Sequence, residues 1–250
     1  MIINFILLKR IALIFNRMRV PYNDMSRIHA GLKDSFHTAL ETVLNESAFV
    51  DDRKGFGNAF AEYVGSTKCI PCANGTDAIY LALMALELKP KSRVAVPAVS
   101  YAATAMAVVY AGHVPVFIDV DETGLMDINK LKLETNLDCI IPVHLFGQCC
   151  DVEEIIKLGV SVIEDCAQAH GAKINGKHVG TFGVIGCFSF YPGKNLGALG
   201  DAGACITDDM SLATKMKRYA SLGSTPENRY DHVSVGINSR LDCLQGLFLI

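Results

Sequence analysis

Lys194 stands alone between a strand-like apolar run (Gly186, Cys187, Phe188, Ser189, Phe190) and a glycine-rich turn (Gly193, Gly197, Gly200). The nearest other charge along the chain is Asp201, with aromatic and small residues between. Surroundings of that kind disfavour an ammonium ion, lower the amine's pKa and leave a nucleophile able to form a Schiff base with a carbonyl. An exposed lysine that merely marks a turn has the same local signature. What decides between the two is the set of residues that converges on it.

Asp165, in I-E-D-C-A-Q-A-H-G over residues 163–171, follows the apolar residues Val160, Val162 and Ile163. It belongs at a strand's carboxyl end, where ligand crevices form in parallel sheets. A buried carboxylate there needs a cation or several donors. A protonated ring nitrogen is one such partner; capping a helix that starts at Cys166 is the alternative. Gln168, three residues on, can present its amide to the same ligand.

Asn74, Gly75, Thr76 and Asp77 fall between a strand and a helix. Gly75 permits close backbone approach, the helix start offers free N–H groups and a positive dipole end, and Thr76 adds a hydroxyl. That is a site suited to phosphate, or an ordinary capped turn. Tyr101, after another strand end, either stacks on a flat cofactor or packs in the core. Ser189 offers a second hydroxyl to a phosphate, while Asn238 and Arg240 sit in a polar loop whose own sequence assigns them nothing. Taken together, a strand-end aspartate, a phosphate-type turn and a desolvated lysine are what pyridoxal phosphate demands. The aspartate keeps the pyridine nitrogen protonated, which makes the ring an electron sink, and the lysine carries the aldehyde carbon as an imine.

The elements that must position these groups follow from the apolar periodicity. Leu32, Phe36, Leu40, Val43 and Leu44 predict a helix over 28–45 that stops at Asn45, and a short helix over 55–64 ends at Gly65. Strands are expected at 68–72, 93–96, 114–119, 138–143 and 160–164. Helices are expected from the 73–77 turn to residue 88, at 102–111 and at 152–158. The runs 182–190 and 202–207 form a strand pair flanking the Lys194 turn. Short, nearly continuous apolar strands alternating with helices imply an α/β fold, a three-layer, mostly parallel sheet covered on both faces.

Residues 2–15 are apolar except for Asn4, Lys9 and Arg10, too short and too interrupted to span a bilayer, and they lack a signal peptide's layout. With Met18 as an alternative start, residues 1–17 read as an extension outside the fold and 18–250 as the cofactor-binding domain. The chain stops at Ile250 within an apolar helical pattern, which reads as truncation.

The bulk composition excludes several classes of function. With 23 basic against 26 acidic residues and no run of five like charges, neither nucleic acid nor a polybasic membrane surface is indicated. Nine cysteines scattered through apolar segments point to a reducing, cytoplasmic compartment. Cys69 and Cys72 form a C-x-x-C, but zinc would require a second pair, so strand-face packing is the expectation and no metal is expected.

The motifs A-N-G-T-D-A, I-E-D-C-A-Q-A-H-G and F-S-F-Y-P-G-K-N-L-G-A-L-G-D resemble those of the DegT/DnrJ/EryC1/StrS family of sugar aminotransferases, over a likeness that runs from about Tyr22 to Ile250. The resemblance implies the large domain of the type I (aspartate-aminotransferase) fold, with the family's small C-terminal domain missing after Ile250. It implies that Lys194 forms the Schiff base, Asp165 pairs with the pyridine nitrogen and Gln168 meets the ring hydroxyl. Gly75, Thr76, Asp77 and Ser189 then surround the phosphate and Tyr101 takes the stacking position. Asn238 reaches the phosphate of a neighbouring subunit, which implies a homodimer with shared sites. The implied reaction moves an amino group from an amino acid, glutamate in the first instance, to a nucleotide-linked keto-6-deoxy sugar. The Tyr191–Ala198 run resembles members that act at carbon 3. Amination at carbon 4, sugar dehydration (a branch with His where Lys194 stands) and a non-catalytic regulatory role are the alternatives.

Overall fold

A computed structural model describes residues 20–50, 52, 55–225 and 228–250. The expected extension over residues 1–17 lies outside the described residues. The chain divides into two compact units, residues 1–34 and 35–250. The first holds a five-residue helix, α1 (Met25–His29), with no buried residue. Helix α2 (Lys33–Glu46) follows as a separate element, so the single helix expected over 28–45 is broken. Gly31 sits at the break, and glycine is among the least favourable residues in a helix interior. Helix α3 (Phe56–Val64) ends, as expected, at Gly65, whose φ of +74° suits a left-handed cap.

The second unit is built on a seven-stranded sheet. Its strands are β1 (Lys68–Cys72), β2 (Arg93–Pro97), β3 (Val114–Ile118), β4 (Cys139–Ile140), β5 (Ser161–Asp165), β8 (Ile185–Ser189) and β9 (Gly203–Thr207), while β6 (Lys173–Ile174) and β7 (Lys177–His178) form a separate hairpin. The order across the sheet is β1-β9-β8-β5-β4-β2-β3. Five neighbouring strands, from β8 to β3, run parallel, and β9 inserts antiparallel between β8 and β1. The two expected strands flanking Lys194 pair directly, with Cys187 opposite Cys205 and Ser189 opposite Gly203.

Alternate side chains separate the two faces. Val94, Val96 and Ile163 pack with helix α4 (Gly75–Leu86) and helix α8 (Met210–Ala220), whereas Ala95, Ile140 and Val162 pack against Val152 and Ile155 of helix α7 (Val152–Ile156) and Leu131 of helix α6 (Ile128–Leu131). A sheet buried on both sides needs near-continuous apolar strands, and β9 is buried at every position. A third cluster joins Phe56 and Phe60 to Phe188 and Phe190, with the Phe60 and Phe190 rings edge to face at 5.1 Å. Helix α5 (Ala103–Tyr110) covers part of the first face, and helix α9 (Cys243–Leu249) closes the described chain.

Three local differences from the expected pattern have clear causes. The strand expected over 138–143 shrinks to Cys139–Ile140 because Pro142 has no N–H for the ladder, although its carbonyl still accepts the Asp165 N–H. The β6–β7 hairpin turns on Asn175 and Gly176, both at positive φ, a turn signal that two-residue strands were too short to support. Helix α8 was not anticipated, although Asp209 caps it by accepting from Ser211 and Leu212 N–H. Among the described residues no helix is long and apolar enough to cross a membrane.

Candidate active site

The carboxyl ends of β1, β2, β5 and β8 open into a cleft of about 760 Å³. Lys194, Asp165, Gln168, Gly75, Thr76, Asp77, Tyr101 and Ser189 all line it, together with Tyr191 and Asp201. Asn238 does not; it is exposed, and it pairs with Ser221 in an isolated bridge.

Lys194 sits in the connection between β8 and β9. Lys194 N–H donates to Tyr191 O at 2.8 Å, Ala198 N–H to Phe190 O at 2.8 Å, and Phe190 N–H to Ala202 O at 2.8 Å. Gly197 admits no side chain, since a Cβ there would lie 2.4 Å from Pro192 O. The side chain is half-buried, and desolvation holds its amine below the ordinary lysine value, with the Asp165 charge pulling the other way. Such an amine is neutral more of the time than a surface lysine's.

Asp165 ends β5 and shares a sheet face with Ile163. Burial pushes its carboxyl up from the ordinary range. Opposing that rise are the Ala167 N–H, which donates to Oδ1 at 3.1 Å, the Thr104 hydroxyl, which donates to Oδ2 at 2.9 Å, and the charge of Lys194. Thr104 in turn is 2.8 Å from the Ser100 hydroxyl. No helix follows at Cys166, so Asp165 is not a helix cap. Each of its oxygens accepts one of these donors, which leaves lone pairs for a cation in the cleft.

Asn74 caps α4 by accepting from Asp77 N–H at 2.8 Å. The first N–H groups of a helix have no intrahelical acceptor, so Gly75 and Thr76 N–H remain available to an anion. Gly75 lies so close to β8 that a Cβ there would fall 2.5 Å from Ser189 Cβ, which brings the helix start and the Ser189 hydroxyl onto one small cup. The Asp77 carboxylate turns to structure, with Oδ2 accepting from the Ser239 hydroxyl at 2.7 Å. Tyr101 is 73% exposed at the cleft, open enough to lie against a flat ligand. Gln168 Oε1 accepts from Phe146 N–H at 2.9 Å, so its Nε2 is the end left for a ligand.

Sequence reasoning missed Ser100, Thr104, Phe146, His144 and Glu164. A helical threonine and a buried histidine carry no local signal; only contact across the fold gives them a role. His170, in the same motif as Asp165, does not line the cleft. Its imidazole lies between Phe188 and Phe190, at 5.5 and 5.4 Å, and desolvation lowers its pKa to about 4. Neither ring nitrogen makes a hydrogen bond of good geometry; the nearby Ser189 backbone offsets the fall only in part.

A three-layer, mostly parallel sheet with an amine, a strand-end carboxylate and an anion cup at one cleft defines a type I pyridoxal-phosphate fold. The chain belongs to the DegT/DnrJ/EryC1/StrS aminotransferase family, whose model matches residues 32–250. That family depends on pyridoxal phosphate. The chain is 42% identical over 239 residues to the UDP-N-acetyl-3-dehydro-alpha-D-glucosamine 3-aminotransferase of Acidithiobacillus ferrooxidans, covering 92% of this chain and 64% of that protein. It is 40% identical to a pleiotropic regulatory protein of Geobacillus stearothermophilus, covering 93% of this chain and 64% of the relative. Among solved structures it is similar to S. venezuelae DesV in complex with a ketimine intermediate, with a TM-score of 0.87, 34% identity, and coverage of 92% of this chain and 64% of that one. The chain thus spans just under two thirds of the length of these proteins.

Proposed function

We propose that the chain is the cofactor-binding part of an aminotransferase that moves an amino group from an amino acid, glutamate in the first instance, to the carbon-3 ketone of a nucleotide-linked sugar. The observation that carries this reading is the convergence, in one cleft, of a desolvated Lys194 amine, the buried Asp165 carboxylate and the unclaimed N–H groups of Gly75 and Thr76. When bound, pyridoxal phosphate supplies an aldehyde that an amine can condense with and a ring that accepts electrons while its nitrogen is protonated.

The chain's own residues divide the remaining work. Lys194 Nζ would be the nucleophile that holds the aldehyde carbon and, when free as an amine, the base that takes the proton from the amino donor's reacting carbon. Asp165 holds a proton on the ring nitrogen, and Thr104 and Ala167 orient its carboxylate. Gly75 and Thr76 N–H and the Thr76 and Ser189 hydroxyls receive the phosphate, Gln168 Nε2 meets the ring hydroxyl, and Tyr101 stacks on the ring face. The exposed position of Asn238 suits a residue that serves a second chain, so the reading includes a homodimer with shared sites. All nine cysteines are free, in keeping with the cytoplasm.

The carbon-3 assignment is supported by the 3-aminotransferase relative; the regulatory relative favours a second reading, in which the pocket is kept for sensing. Borohydride treatment of the chain with pyridoxal phosphate should fix the cofactor on Lys194, and Lys194→Ala should lose it. An adduct mapped to a different lysine contradicts the assignment. Full-length protein supplied with glutamate and either nucleotide-linked 3-keto or 4-keto sugars should aminate only the 3-keto compounds. Cofactor uptake without turnover on any of them favours the regulatory reading.

A further inference from the structure

Glu164 and Asp165 are consecutive on β5 and point to opposite faces. The Glu164 side chain is fully buried and saturated. Oε1 accepts from Phe182 N–H at 2.7 Å and Gly183 N–H at 2.6 Å, and Oε2 accepts from Gly180 N–H at 2.8 Å. Its fourth partner is His144 Nε2, 3.0 Å from Oε2 and equally buried. His144 Nδ1 accepts from Cys150 N–H at 3.0 Å. The imidazole proton therefore sits on Nε2 and is donated to Glu164.

Between His144 and Cys150 the chain makes a tight turn through the 3₁₀ segment Leu145–Gly147. Phe146 there has φ +54° and is 80% exposed. Left-handed backbone is unfavourable for a bulky residue, and an exposed ring gains little packing in return. What the bend does achieve is to aim Phe146 N–H at Gln168 Oε1. The turn is held at its first residue by His144 N–H, which donates to Asp165 O at 3.0 Å, and at its last by the imidazole. The ligand atoms of His144, Glu164 and Cys166 lie within 4.8 Å of one another, but the protonated Nε2 and the claimed Glu164 oxygens leave no lone-pair set for a metal.

We propose that His144 is a positioning residue for Gln168: by tying the 144–150 turn to Glu164 it fixes the Phe146 N–H that orients the Gln168 amide toward the cofactor ring hydroxyl. The inference rests on the cofactor reading above only in its last step. His144→Gln keeps a donor for Glu164 and loses the acceptor for Cys150; His144→Asn keeps that acceptor. In the cofactor-free chain, His144→Gln should speed amide exchange at Phe146 and Cys150 by about tenfold, the scale of one lost hydrogen bond. Gly180, Phe182 and Gly183 should stay protected.

With pyridoxal phosphate added, His144→Gln should shift the pH titration of the visible absorbance band in the same direction as Gln168→Ala, and the double variant should shift no further. Unchanged exchange at Phe146, a shift that adds in full to that of Gln168→Ala, or exchange in His144→Asn as fast as in His144→Gln would each overturn the proposal. A wild-type chain that develops no band counts instead against the cofactor reading, and the exchange measurements still decide whether His144 holds the turn.

Discussion

Glu164 and Asp165 differ by one methylene and one position, and both are buried, yet the fold treats them in opposite ways. Glu164 receives three backbone N–H groups and an imidazole N–H, so nothing further can approach it. Asp165 receives one N–H and one hydroxyl and faces a cleft with a lysine in it. A fully satisfied buried carboxylate is a structural clasp; a partly satisfied one is held ready for a cation that arrives later. Alternation along a single strand is enough to separate the two roles, because successive side chains take opposite faces.

The comparison is broken most severely by Glu164→Ala, which strands three N–H donors and a histidine. The expected loss is several kcal/mol, since each buried donor left unsatisfied costs about 1–3 kcal/mol, read as a lower urea midpoint for the cofactor-free chain. Asp165→Asn should go the other way. The folded chain holds the Asp165 proton to a higher pH than the unfolded chain does, because burial raises its carboxyl. Stability from that group is therefore complete below the ordinary carboxylate range and is lost as pH rises through the raised value. The variant escapes that loss, so cofactor-free Asp165→Asn should melt higher than its parent at neutral pH, with the advantage vanishing in acid. Added pyridoxal phosphate should then stabilise the parent more than the variant. Smallest is Thr104→Val, which deletes one donor to Asp165. It should cost about 0.5–1.5 kcal/mol at neutral pH, and the cost should largely disappear when Asp165 is already Asn. Equal costs in both backgrounds would show that Thr104 does not act through Asp165.

The cleft side of this comparison was readable in the sequence and the clasp side was not. Lys194, Asp165 and the Asn74–Asp77 turn announce themselves by local contrast: a charge in an apolar stretch, a glycine where a helix begins. Glu164 stands beside Asp165 in the same apolar run, but its meaning lies in Gly180, Phe182, Gly183 and His144, none of which is a sequence neighbour. The strands were legible because burial on both faces makes them continuously apolar. The helix over 28–45 and the strand over 138–143 were overextended because apolar spacing continued across Gly31 and Pro142, where the backbone could not.

Among the described residues strand β1 pairs only with β9, roughly 130 residues further along the chain. Gly203 of β9 also lies against the start of α4, where a Cβ would come 2.4 Å from Asn74 C. At ribosomal rates of about 5–20 residues per second, β1 and the phosphate cup therefore wait on the order of ten seconds for the strand that completes them. During that interval β1 is an open edge, and the lysine's loop is synthesised only just before β9. A pause placed between the codons for residues 72 and 203 would lengthen the period in which that edge can pair with the wrong partner.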